Sequence, residues 1–325
     1  MAIKKEAYLY LSAALRAREA RMLTNDRAER MLDAPGFEEA AKLLTDCGYP
    51  DMSRMSAAEI EKTLAEHRAE SFAELTRMAP DARIVDVFRM KYDYHNAKTL
   101  IKARALGLDP ERLFIDCGRV KAEKLKNAYD NERWSELPKP FAAAMQEASE
   151  KLSHTANPQL ADFVLDRAYF KEMKDTAAGA ESKFLCGYVD ILDQSNRLKS
   201  IVRVLRMGRS ADYLNEENVF GDRQTIDTDK DSLAARYSHT LLENAAILGA
   251  EAVEGGSITA FELACDNAVN RYLRGAKLVS FGEEPLAAYI AAVEGEITAI
   301  RMILTGRLAG IKPEVIRERL RDLYA

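Results

Sequence analysis

One helical segment occurs three times in this chain, and that recurrence limits its possible folds more than any other feature. Residues 95–107 read HNAKTLIKARALG, residues 196–208 read NRLKSIVRVLRMG, and residues 298–310 read TAIRMILTGRLAG. The closing glycines Gly107, Gly208 and Gly310 stand 101 and 102 residues apart. In this register Lys98, Lys199 and Arg301 coincide, and so do the pairs Leu100–Ile101, Ile201–Val202 and Ile303–Leu304. Upstream, LDRAYF (165–170) matches CDNAVN (265–270) more weakly, with Asp166 against Asp266. Apolar residues at helical spacing, stopped by a glycine, are the mark of a helix and its left-handed cap. A period of this length is far above the roughly 20–45 residues of common solenoids. It therefore favours a closed arrangement of similar units around an axis, a ring or a funnel. The expected architecture is all-α, with three helical units at 1–109, 110–212 and 213–325 in a pseudo-threefold funnel.

The rest of the sequence agrees with that class. Only 16 Gly and 9 Pro interrupt long runs of Ala, Leu, Glu, Lys and Arg, which are strong helix formers. Helices are expected over Tyr8–Leu23 and Phe37–Leu44, and again after Ser56, where Ser56 and Glu59 have capping-box spacing. Further helices are expected at Ile84–Leu106, Val120–Ala128, Pro140–Leu152, Gln159–Ala178, Phe184–Met207, Leu233–Ala252, Ile258–Leu273 and Leu286–Leu304. Pro313 should start a terminal helix that runs to Tyr324. The polar stretch Asn215–Asp231 reads as an exposed linker. No strand-like alternation persists.

Several functional classes are disfavoured. A net charge of -5 lacks the basic excess of a nucleic-acid binder. Cys47, Cys117, Cys186 and Cys265 form no CxxC pair, so neither a zinc site nor a disulfide framework is expected. The N-terminal Met1–Glu6 has no apolar signal-peptide core, and no run approaches the ~18 apolar residues of a membrane span. Phosphate loops, GxGxxG, HExxH and GxSxG are all missing. Asp190 and Asp193 form a lone DxxD, as in magnesium-diphosphate enzymes, but without the second acidic cluster that such sites need. They read instead as a solvated helix face. His95 could pair with Asp93 as a general base. It reads more simply as a partly buried imidazole in a helix–helix contact, with Tyr92 and Tyr94 in a core or interface. Lys98 and Lys102 share one helix face, as do Lys199 and Arg203, and Arg301 continues the stripe while Thr305 stands in the place of Lys102. Such stripes are either solvated or face acidic helices of a partner.

Two stretches resemble a known family. VFRMKYDYHNAKTLIKARALG (87–107) is similar to the signature helix of the C subunits of V/A-type ATPases, a family whose eukaryotic relatives are the d subunits. FGEEPLAAYIAAVEGEITAIRMILTGRLAGIKPEVIRERLRDLYA (281–325) resembles that family's ending through Gly282, Glu284, Pro285, Leu286 and Tyr289, with Glu294, Glu296 and Arg301 following at family spacing. YLYLSAALRAREARMLT fits more loosely, and 110–260 follows the pattern least clearly. The resemblance implies a non-catalytic, funnel-shaped subunit on the cytoplasmic face of the membrane. It would sit between the central shaft and the proteolipid ring of a rotary ATPase, with no cofactor, metal, nucleic acid or small-molecule substrate, and would be monomeric when isolated. The stripe Lys98, Lys102, Lys199, Arg203 and Arg301 would then line or rim the socket for the shaft. An unrelated helical scaffold is the alternative.

Overall fold

The computed structural model describes residues 3–221 and 230–325. Among the described residues every regular element is helical. The first helices are α1 (Leu9–Glu19), α2 (Asn25–Asp33), α3 (Phe37–Lys42), α4 (Ala57–Met78) and α5 (Ala82–Leu106). There follow α6 (Ala122–Asp130), α7 (Lys139–Thr155), α8 (Pro158–Gly179), α9 (Lys183–Arg206) and α10 (Asp212–Glu216). The last are α11 (Lys230–Arg236), α12 (Glu243–Val253), α13 (Ile258–Arg274), α14 (Glu283–Leu308) and α15 (Pro313–Arg317). They fall into two compact units: residues 83–221 make one, and residues 3–82 with 230–325 make the other.

In the 83–221 unit, α8 packs on both α7 and α9. Its core gathers Leu100 and Ile101 of α5, Phe141 and Met145 of α7, and Leu165 of α8, all at most 2% exposed. The Tyr94 ring lies edge-on to Phe141, with centroids 5.1 Å apart. In the other unit α14 is the central pillar, packed on α1, α2, α3, α4, α13 and α15. A helix surrounded in this way must be apolar or small on every side. That explains AAYIAAV and the buried Ile297, Ile300, Ile303 and Leu304.

Local signals place the helix ends. Ser56 and Glu59 form the capping box at the start of α4, and Thr24, Asn157, Ser182 and Ser257 cap α2, α8, α9 and α13 by accepting backbone N–H bonds. Each such cap is worth about 1 kcal/mol. The three repeated helices close identically. Gly107, Gly208 and Gly310 have φ of 67°, 71° and 71°, and their N–H groups bond Arg104, Leu205 and Arg307. The next residues, Leu108, Arg209 and Ile311, bond back to Ala103, Val204 and Gly306. This is the Schellman geometry, with glycine in the left-handed position.

Three expectations need correction. Leu233–Ala252 is two helices rather than one, because residues 237–242 turn through His239, at φ 61°, while the Thr240 hydroxyl accepts from Leu242 N–H. The terminal helix stops at Arg317 instead of reaching Tyr324. Beyond it, the backbone is satisfied by side chains: Asn267 and Asn25 accept from the Asp322 and Leu323 N–H groups, and Asn270 donates to the Asp322 carbonyl. The expected linker at 215–231 begins inside α10, and Val219 is buried. Its residues 222–229 lie outside the described residues.

Candidate partner-contact surface

The polar residues of the α5 signature run hold a segment of the chain in place. Backbone between helices carries donors and acceptors that must find partners when buried. Asn96 meets Ile115 in both directions, donating to its carbonyl and accepting from its N–H, each at 2.9 Å. The Arg89 guanidinium donates to the Cys117 and Gly118 carbonyls, and Val120 N–H donates to Asp93 at 3.0 Å. His95 is exposed rather than partly buried; its Nε2 lies 3.2 Å from the Leu113 carbonyl oxygen. A His95–Asp93 pair does not form, because Asp93 belongs to a different network.

That network is fully internal. Arg119 bridges Asp93 at 2.7 Å and Glu172 of α8 at 2.8 Å, and the Tyr94 hydroxyl donates to Glu172 at 2.9 Å. The Asp93 side chain is 0% exposed and that of Glu172 8%. Burial pushes the Asp93 carboxyl up, against the pull of Arg119 and the Val120 N–H. Burial also works against the Arg119 cation, but its bonds to Glu172 and Asp93 outweigh that and hold it above its ordinary value. On α14, the Glu296 carboxylate bonds no cation among the described residues: it accepts from Leu23 N–H and from the Tyr49 hydroxyl. Burial raises its carboxyl above the usual range.

The cation stripe lies on helix faces turned toward acids. Lys98 and Lys102 of α5 each reach α8, at 2.6 Å from Asp166 and Asp162. Arg301 of α14 reaches Glu61 of α4 at 2.7 Å. All three pairs are partly exposed, so each contributes only about 0–1 kcal/mol. On α9, Lys199 is half-buried, and Arg203, one turn on, is exposed at a cleft of about 820 Å³ between α7, α8 and α9. Asp190 is exposed as a solvated face requires, whereas Asp193 is buried and receives both Lys174 (2.6 Å) and Arg197 (3.0 Å). Two cations already compensate that carboxylate.

Comparison with known proteins identifies the family of the sequence. Residues 11–319 match the sequence profile described as ATP synthase (C/AC39) subunit. The chain belongs to this family. The C subunit of an A-type ATP synthase from Methanocaldococcus jannaschii is 28% identical, covering 99% of this chain and 88% of its own length. The C subunit of a V-type sodium ATPase from Enterococcus hirae is 24% identical over 98% of this chain and 99% of its own. Over a shorter stretch, the C subunit of a V-type ATP synthase from Thermus thermophilus is 20% identical and covers 63% of this chain and 65% of its own.

The C subunit is a structural rather than a catalytic part of these complexes, and as a family member the chain acts with other subunits of an ATP synthase. No described helix is long and apolar enough to cross a membrane. The family residues of the C-terminal stretch hold unit 3–82/230–325 together. Gly282 N–H donates to Ser12, Glu284 pairs with Lys5 at 2.7 Å, and Glu294 lies 3.5 Å from Arg68. Sequence reading missed Arg119, Glu172 and Tyr49, which carry no local motif. Several large apolar side chains are exposed around the helix closes. After α5, Leu106, Leu108 and Leu113 are 72%, 59% and 63% exposed, and Met207 after α9 is 71% exposed. Leu308, Ile311 and Val315 repeat the feature around the close of α14.

Proposed function

We propose that this protein is the central-stalk adaptor of a V/A-type rotary ATPase. It joins the rotating shaft of the ATP-driven head to the proteolipid ring, at the cytoplasmic face of the membrane. It transmits torque to ion movement, of protons or sodium, through that ring. In this reading 1–109, 110–212 and 213–325 are three similar units of a pseudo-threefold funnel. The observation that carries it is the triple use of one long helix with one glycine close, in a chain of the ATP synthase (C/AC39) family. The braces support the same arrangement. Lys98 and Lys102 of the first unit reach acids of the second, and Arg301 of the third reaches Glu61 of the first. A closed set of repeats needs such links between successive members.

The stripe Lys98, Lys102, Lys199, Arg203 and Arg301 faces the shaft socket, where half-exposed ion pairs can take on charges of a partner. Tagged chain extracted from its native membranes in mild detergent should bring down head, shaft and ring subunits together, as read by mass spectrometry. Recovery of the chain without any rotary subunit would leave only the helical scaffold. The stripe has its own test in Lys102→Asp with Asp162→Lys, which keeps the internal pair but reverses the field presented outward. Shaft binding should fall; unchanged binding removes the stripe from the socket.

A further inference from the structure

Residues 321–324 are held in the way that a groove holds a bound peptide. No backbone–backbone hydrogen bond among the described residues reaches them, and side chains of two helices meet their backbone instead. Asn267 of α13 accepts from the Asp322 N–H at 3.0 Å, and Asn270, one turn on, donates to the Asp322 carbonyl at 3.1 Å. Asn25 of α2 accepts from the Leu323 N–H at 3.1 Å, and Arg274 of α13 donates to the Leu323 carbonyl. Every N–H and C=O of these two residues is thus paired with a side chain. An amide side chain can both donate and accept, and residues three apart share a helix face. Asn267 and Asn270 therefore grip one residue's backbone from both sides, whatever side chain it carries.

The side chains of the segment supply selectivity. Asp322 lies 3.6 Å from Arg274, while Leu323 and Tyr324 are 5% and 9% exposed. The Tyr324 hydroxyl accepts from Arg16 of α1 at 3.4 Å, and Lys277 stands 4.9 Å from the ring centroid, a cation over an aromatic face. Arg16 is anchored without the tail, by the Ala276 and Val279 carbonyls at 2.7 and 2.8 Å. The receiving groups are therefore built into the helices, and the segment is laid onto them. Its fit is incomplete. A cavity of about 20 Å³ remains between Leu323, Tyr324 and the side of the unit formed by Leu273, Ala292 and Gly295, room for about one water. A segment with two apolar anchors, otherwise held by polar bonds that water can replace, opens at lower cost than the helices beneath it.

We propose that Asn25, Asn267, Asn270 and Arg274 form a peptide-binding site selective for an Asp-Leu-Tyr segment, which residues 322–324 occupy as a reversible latch across α1, α2 and α13. The site does not depend on the adaptor reading. Hydrogen exchange of the full, unsubstituted chain, read by mass spectrometry, should show the fragment 318–325 exchanging about tenfold or more faster than α14, at a rate that low urea leaves unchanged. Exchange of the fragment in step with α14 would make it a fixed part of the fold and overturn the latch, and this measurement needs no variant. Asn267→Ala with Asn270→Ala should speed the fragment by about a further tenfold while α14 exchange and the melting profile stay as they were; an unchanged fragment overturns the clasp. Leu323→Ala with Tyr324→Ala weakens the occupant and leaves the walls of the site intact. A fluorescein-labelled peptide RLRDLYA, copied from residues 319–325, should bind that variant, bind the unsubstituted chain far more weakly, and lose its binding when Asn267→Ala and Asn270→Ala are added. Failure to bind the emptied site, or binding that ignores the two asparagines, overturns the site.

Discussion

Arg119→Met tests whether the buried charges of the 83–221 unit form one network. The substitution keeps much of the aliphatic volume but removes the cation shared by Asp93 and Glu172. Both carboxylates then stay buried, with the Val120 N–H and Tyr94 hydroxyl as remaining donors. Breaking a buried pair by removing one partner costs about 3–5 kcal/mol. Two acids share this arginine, so the upper half of that range is expected at pH 7.5. The loss should depend on pH. Without Arg119, the Asp93 carboxyl, already raised by burial, rises further above its unfolded value, so the folded state binds more protons and stability falls as pH increases. Lowering the pH from 7.5 to 5 should therefore recover part of the loss. Adding Asp93→Asn and Glu172→Gln should recover part of it at every pH, since neutral amides need no counter-charge. Urea denaturation followed by far-UV ellipticity reads all four cases. A loss below about 1 kcal/mol, or one that neither acid nor the amides relieve, would refute the network as described, given the range above.

Two further predictions concern single positions. Glu296→Gln should be more stable than the parent at pH 8 and equal to it near pH 5: the raised carboxyl contributes stability only while protonated, which is lost as pH rises through its folded value; melting curves at the two pH values read the difference, and an equal offset at both would contradict it. Gly118→Ala should cost about 1–3 kcal/mol in urea denaturation by overpacking, because a Cβ there would lie 2.1 Å from Asp93 Oδ1; a neutral result would mean that Asp93 can move aside.

The long helices were legible in the sequence because their signals are local. A glycine close, a serine cap and an apolar period each act within a few residues, and the structure extends the expected α14 by three or four residues at either end without moving its centre. That Lys98 and Lys102 share one helix face was legible for the same reason. The acidic partners of these lysines and of Arg301 were not, since Asp162, Asp166 and Glu61 lie 60, 68 and 240 residues from the cations that they meet. Asp193 was misread as solvated because a helical wheel cannot know that Lys174 of a neighbouring helix covers that face. The tail failed as a helix for a related reason: its helix propensity competed with Asn25, Asn267 and Asn270, none of which is near it in sequence. Ser238-His239-Thr240 was a readable break between α11 and α12, as the hydroxyl of Thr240 suits a turn.

The polar residues buried along α5 and α14 have a mechanical consequence for an adaptor of the proposed kind. Apolar packing resists separation of helices but discriminates poorly between registers, and packed helices can ratchet past a neighbour by one turn, about 5.4 Å. Directional bonds do not tolerate that shift. Moving α5 by one turn would strand both Asn96–Ile115 bonds, the Val120 and Arg119 bonds to Asp93, and the Tyr94 bond to Glu172. Each buried group left without a partner costs roughly 1–3 kcal/mol, so the penalties together exceed what any re-sorted leucine contacts could return. On α14 the bonds of Glu296 to Leu23 and Tyr49 impose the same condition. Asn96, Asp93 and Glu296 are thus better understood as register locks than as contact residues. This explains why buried polar groups occupy the middle of both helices, among apolar neighbours that alone would set the register poorly.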